Sequence, residues 1–319
     1  MPTNNLYQYP DKPASWNERD LLIFAASIGC EPDELQFGYE LHPKFSAFPT
    51  YPIVLTFKHD YTTTTSFAGH FSRHLTPPRD FIPGFPALDI KRVVDGERTL
   101  QIVKQLPKTS EGRRFIIRSD VIGVWDKGVG KSTIVKTSHD LVERVESGQH
   151  EMLYARMTET AIFMSQGGWG GPNVGKPASS PAPPTDRAPD ARVKHHVSPA
   201  AHLLYRLNGD YNPLHATHVE EAVVQPTPIM HGLYSWNVTA RLVLKTFANG
   251  EAKALQSFQA SFASPVRPGD VLETEMWELK DAAEGARTIR FESKVGGKVV
   301  LARGSAVLHD TDDRTRSKL

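Results

Sequence analysis

One carboxylate and one imidazole, Asp210 and His215, stand five residues apart in the run Tyr205-Arg206-Leu207-Asn208-Gly209-Asp210-Tyr211-Asn212-Pro213-Leu214-His215. Such a pair can hold a water between them, take a proton from it and hand a proton on. Pro213 restricts its own backbone and pushes Asn212 towards an extended conformation, so the turn that carries both side chains is stiff. Stiffness favours catalysis by positioning. A second segment follows, Pro228-Ile229-Met230-His231-Gly232-Leu233. Gly232 is expected to open a helix, where a backbone N–H with no side chain in the way can donate to a developing oxyanion. A proton acceptor, a proton donor and an oxyanion donor are what adding water across a conjugated double bond requires. The same residues also fit a blander role, since Asp before a turn and Asn before Pro are ordinary helix-start residues. His231 taken alone reads as a packing or hydrogen-bonding side chain.

The elements that must position these groups are legible in the C-terminal half. After Gly232, apolar residues recur at three- and four-residue steps through Leu233, Trp236, Ala240, Val243, Leu244 and Phe247, and Asn249-Gly250 ends the helix. Strands are expected over 254–264, 271–279, 287–295 and 298–308, with Gly296-Gly297 as a hairpin turn. One long helix followed by an antiparallel meander predicts an α+β domain in which a sheet wraps a helix. The N-terminal half echoes this more weakly. A helix is expected over 17–28, closed by Gly29, and strands over 98–106, 113–125, 131–145 and 151–164. Residues 60 to 80 are polar and broken by Pro77-Pro78, which leaves a central helix in this half hard to place. Glycines and prolines crowd residues 166–192, so that stretch is a linker or a long ordered crossover.

Composition narrows the class. The chain has 319 residues, 39% hydrophobic and 23% charged, within ordinary globular usage. A formal net charge of +1 gives no whole-chain attraction to nucleic acid. The single cysteine, Cys30, allows no internal disulfide. The first residues carry no basic region and no apolar core, so no secretory signal is expected. No apolar run is long enough for a membrane span. Asp126 to Thr133 tempts one to see a phosphate-binding loop, but Trp125 stands where the motif needs its first glycine, and a hairpin turn is expected instead. His70 and His74 have helical metal-ligand spacing, yet Phe71 stands where a metalloprotease carries Glu, and no metal site is expected.

The run Tyr205 to His215 is similar to the hydratase motif of the MaoC-like (hydratase 2) enoyl-CoA hydratases, and Pro228 to Leu233 resembles their next element. Phe262 to Asp270, then Glu273-Thr274-Glu275-Met276-Trp277, resembles the strand pair that follows. Phe45 to Thr50 and Ser165 to Gly171 carry a less specific resemblance to the first half of the two-domain members. The resemblance implies a double hot-dog fold, with two long helices each wrapped by a curved antiparallel sheet. It implies reversible hydration of trans-2-enoyl-CoA to the (3R)-3-hydroxyacyl-CoA; the altered stretch after His215 leaves room for a dehydratase running the same chemistry backwards in a secondary-metabolite pathway. By position, Asp210 and His215 handle the water, Asn212 supports the loop, Gly232 supplies the oxyanion donor, and Tyr211 and His231 contact substrate.

The expected organisation is an N-terminal domain over 1–165 that shapes the acyl pocket without doing chemistry, a linker over 166–192, a catalytic domain over 193–309, and a polar tail over 310–319. The tail ends in Ser317-Lys318-Leu319, which reads as a peroxisomal address. An acyl-CoA substrate, a peroxisomal import receptor and a second copy of the chain are the expected partners. No cofactor is expected beyond coenzyme A as part of the substrate. The chain departs from the family pattern after His215, over Ala216 to Thr227, which bears on acyl specificity more than on activity. A thioester-binding protein without catalysis is the rival class, and the intact Asp210/His215 pair argues against it.

Overall fold

The computed structural model of the protein describes residues 6–58, 76–145, 150–173, 181–216, 228–279 and 285–309. The N-terminal half contains β1 (Tyr7–Gln8), β2 (Lys12–Ala14), α1 (Glu18–Ser27), α2 (Leu35–Gly38), α3 (Pro52–Leu55), β3 (Val93–Ile102), β4 (Arg114–Asp126), β5 (Thr133–Arg144) and β6 (Glu151–Phe163). The C-terminal half contains β7 (Ala191–His196), α4 (Ala201–Tyr205), α5 (Gly232–Ala248), β8 (Leu255–Phe262), β9 (Val271–Leu279), β10 (Ala286–Val295) and β11 (Lys298–His309).

The strands form one antiparallel sheet in the order β1-β4-β5-β6-β3-β8-β11-β10-β9-β7, with β2 also on β4. The order is a pseudo-twofold. Sequence order 3-4-5-6 becomes spatial order 3-6-5-4, and 8-9-10-11 becomes 8-11-10-9. The two meanders join through their first strands, where Glu97 faces Ser261 and Leu100 faces Phe258. The shared order is the echo expected from pattern alone.

Helix α5 is the core of the C-terminal half. Every residue from Leu233 to Leu244 is buried, because the sheet curves around it. Trp236 meets Phe258 edge-on at 4.6 Å, and Phe258 stacks on Phe291 at 4.8 Å. Such aromatic pairs add about 0.5–1.5 kcal/mol each beyond their burial. The helix ends at Asn249, which takes the left-handed conformation as the expected cap. One charge, Arg241, is buried on it. Its Nε donates to Glu34 Oε2 at 2.8 Å, so the ion pair crosses between the halves. Helix α1 starts on a capping box in which Asn17 and Asp20 each accept the other's backbone N–H.

Two sequence expectations shift, at β3 and at β7, and one open alternative is decided, at residues 166–172. Strand β3 begins at Val93, not 98, because a bulge at Gly96 breaks its alternation. Residues 166–172 are pinned rather than loose: the buried Asp126 carboxylate accepts the N–H groups of Gly128, Gly168, Gly170 and Gly171. Residues 191 and 192, read as linker, already belong to β7. The segment between Asp126 and Thr133 is the hairpin turn between β4 and β5, closed by Lys131 N–H donating to Gly128 O at 3.0 Å. Most of residues 60 to 80, with His70 and His74, lies outside the described residues, as do 217–227 and 310–319. Among the described residues no helix is long and apolar enough to cross a membrane.

Candidate active site

The hydratase-like run begins in α4, continues through a short 3-10 turn over Arg206–Asn208, and reverses at Gly209. Gly209 has φ +109°, and a Cβ there would stand 2.8 Å from Lys58 Cα. Only glycine meets both demands. Asn208 holds the reversal down, donating from Nδ2 to Ser27 Oγ at 2.9 Å and to Tyr205 O at 2.8 Å. The chain then emerges at Asp210, whose Oδ1 accepts the Asn212 N–H at 3.2 Å. Asn212 Oδ1 accepts the Leu214 N–H at 3.1 Å and caps a second 3-10 turn, Pro213–His215, with Pro213 in its first turn. Two side-chain caps and a proline therefore set the angle between Asp210 and His215.

His215 is buried, and its Nδ1 lies 2.9 Å from Ile229 O. A carbonyl only accepts, so Nδ1 carries the proton and Nε2 keeps its lone pair. Burial lowers the His215 pKa from its ordinary value, with Asp210 opposing, so the ring is neutral near pH 7. His231, the residue before α5, donates from Nε2 to Asp210 O at 3.1 Å and stacks on His215 with ring centres 3.8 Å apart. Burial first, then the neighbouring His215, pushes His231 down to about 3. Its role here is to hold the Asp210 backbone and back the His215 ring.

Asp210, His215 and His231 each bring a carboxylate oxygen or ring nitrogen within 4.8 Å of the others, the spacing of groups that share one water. They are also a cation-ligand set by type. A metal lies in the plane of each imidazole that binds it, and two near-parallel rings at 3.8 Å hold those planes apart. Gly232 is the first residue of α5, so its N–H has no acceptor within the helix. A Cβ on Gly232 would come within 3.0 Å of the Phe262 ring.

These groups open on a cavity of about 390 Å³ walled by both halves. Each expected site residue lines it: Asp210, Tyr211, Asn212, His215, His231 and Gly232. Tyr211 also has the Arg206 guanidinium 5.0 Å from its ring centre. The structure adds three residues that motif reasoning passed over: Asp95, Arg98 and Glu159 of the N-terminal half also line the cavity. A signal was present in the sequence. The inward phase of β6 reads Ala155, Met157, Glu159, Ala161, Phe163, and one charge interrupts an apolar register.

With this geometry, likeness to known proteins becomes specific. Residues 180–300 match the MaoC like domain, and residues 15–159 match the MFE-2 hydratase 2 N-terminal domain. A protein of Ajellomyces capsulatus named probable dehydratase NIT22 is 43% identical, over 98% of this chain and 84% of that one. The chain belongs to the MaoC-like hydratase 2 family. A probable enoyl-CoA hydratase 2 of Dictyostelium discoideum is 31% identical over 93% of both chains. The crystal structure of a MaoC-like dehydratase from Phytophthora capsici superposes with a TM-score of 0.77 at 29% identity, covering 97% of this chain and 98% of that one. The fold of this MaoC-like chain is the double hot-dog, and its class is hydratase/dehydratase, a hydro-lyase.

Proposed function

We propose that this chain catalyses the reversible addition of water to a trans-2-enoyl-CoA, giving the (3R)-3-hydroxyacyl-CoA. The observation that carries the reading is the meeting of Asp210, His215 and His231 at the start of α5, in one cavity, with the His215 ring neutral. In the hydration direction a water sits between Asp210 and His215 Nε2. The neutral imidazole takes one proton as the water oxygen bonds to C3 and the double-bond electrons move onto C2 and the thioester oxygen. Asp210 accepts the remaining O–H and orients it. The Gly232 N–H donates to the thioester oxygen while it is enolate-like. The proton on His215 then passes to C2, which restores the neutral ring and completes addition of H and OH.

The same groups run the reaction backwards by microscopic reversibility, and the relative named a probable dehydratase supports dehydration as the physiological direction. A peroxisomal setting belongs to the same reading, supported by an Arabidopsis thaliana relative named "Enoyl-CoA hydratase 2, peroxisomal", 29% identical over 93% of this chain. A fluorescent fusion that stays cytosolic with its own C-terminal residues intact would argue against that setting.

Asp210→Asn and His215→Gln are each expected to lower turnover at least about a hundredfold, the usual loss when a general acid or base is removed. Spectrophotometric hydration of crotonyl- or decenoyl-CoA measures it. Near-wild-type rates in either variant would overturn the assignment.

A further inference from the structure

The N-terminal half lines the cavity with charge where an acyl pocket needs only hydrocarbon. Arg98 Nε donates to Asp95 Oδ2 at 2.7 Å, and Arg98 Nη1 lies 2.8 Å from Glu159 Oε2. Behind them, His139 Nε2 is 3.7 Å from Glu159 Oε2, and His139 Nδ1 is 2.8 Å from Ser119 Oγ. The chain of contacts crosses four strands: Ser119 faces His139 across β4 and β5, Glu159 lies diagonal to His139 across β5 and β6, and Glu159 faces Arg98 across β6 and β3.

Asp95 joins it only through a local irregularity. Residues three apart on a regular strand point to opposite faces. The bulge at Gly96 adds one residue to the count and returns Asp95 and Arg98 to the same side. A Cβ at Gly96 would meet Thr160 O at 3.0 Å and Ile162 Cδ1 at 2.8 Å, so the bulge depends on glycine.

The network is incomplete, and its members Asp95, Arg98 and Glu159 all line the cavity. Arg98 is about nine-tenths buried, yet its Nη1 makes no properly aligned hydrogen bond, and Asp95 Oδ1 is buried with no hydrogen-bond partner. Buried ionic groups cost stability unless fully paired and bonded, and hydrocarbon laid against them would leave that deficit standing. A carboxylate on the substrate fits poorly as well, because Arg98 already lies between two carboxylates.

We propose that Asp95 and Arg98, backed by Glu159, form a polar subsite that binds a hydroxyl group carried on the acyl chain. A hydroxyl both donates and accepts, so it can bond to a carboxyl and a guanidinium together. Burial pushes Asp95 up to about 7, with Glu159 and Asp210 adding and Arg98 opposing, so this carboxyl can itself accept or donate near neutral pH. The inference rests on the acyl-thioester reading above and narrows it to oxygenated acyl chains.

The test is equilibrium binding of saturated acyl-CoA esters to the full chain by calorimetry. A series of ω-hydroxyacyl esters of increasing length is compared, each with its unsubstituted counterpart. At one length the hydroxy ester is expected to bind about tenfold tighter, the worth of a hydrogen bond to a charged group. In Asp95→Leu that ratio falls to near one, and in Asp95→Asn it falls part-way, with thermal melting used to establish that each variant is folded. A purely structural role for Asp95 would weaken both esters alike and keep the ratio, which overturns the proposal. So would wild-type protein that binds plain esters and hydrates plain enoyl esters but shows no hydroxyl preference at any length. Failure to bind any ester and to hydrate any enoyl ester would instead overturn the hydratase reading itself, and the subsite with it.

Discussion

The two halves share one strand order and differ in where their chemistry sits. In the C-terminal half the candidate reactive groups are on a turn and at a helix start, and hydroxyls line the sheet beneath. Hydroxyls there satisfy one another: Thr274 of the sheet and Thr239 of α5 bond to Ser293 at 2.8 and 3.0 Å. In the N-terminal half the equivalent face carries Asp95, Arg98, Glu159 and His139 on the strands themselves. A sheet can hold charges in fixed register, because partners across a ladder are set by the backbone. A loop can bring a carboxylate, an imidazole and a helix N-terminus to one point, which a ladder cannot do.

The contrast can be broken at its centre. Arg98→Leu leaves two carboxylates in the wall without their cation and is expected to cost about 3–5 kcal/mol, as for breaking a buried ion pair. Ser293→Ala, in the hydroxyl cluster of the other half, is expected to cost about 1 kcal/mol, a neutral hydrogen bond's worth. Urea denaturation of both variants reads the difference, and equal losses would mean that the charged network is no more demanding than the hydroxyl cluster.

A smaller effect should appear with pH. Asp95 has its folded-state value raised, by burial first, to about 7, above the ordinary carboxyl value near 4. The folded protein therefore holds that proton more tightly than the unfolded chain. The contribution is full below about 4 and is lost as the pH rises through about 7. Arg98, Glu159 and Asp210 are the charged groups that act on it. Asp95→Asn has nothing to titrate there, so wild-type Tm should fall relative to that variant across this window. A constant gap between the two melting curves would show that Asp95 ionises normally.

Much of this was legible beforehand, for identifiable reasons. The helix at 232–248 shows in the sequence because its large apolar residues recur at three- and four-residue steps, and the meander because strands alternate. The Asp210 turn shows because Gly209, Asn212 and Pro213 are demanded by backbone geometry, and such demands are local. Strand β3 was misplaced by five residues because a bulge interrupts the period that reveals a strand. The Asp95–Arg98–Glu159 wall was missed because its members are 64 residues apart in sequence at the widest (Asp95 to Glu159) and no short motif joins them.

The sequence by itself determined the turn, the helix start and the placing of a carboxylate and an imidazole on that turn, since each depends mostly on residues close in sequence. Only the tertiary structure decided that His231 holds Asp210 and backs His215, that both halves wall one cavity, and that this cavity is polar on its N-terminal side. Those facts depend on which strands pair across the chain and on which faces they turn inward, and the burial of the whole core decides that.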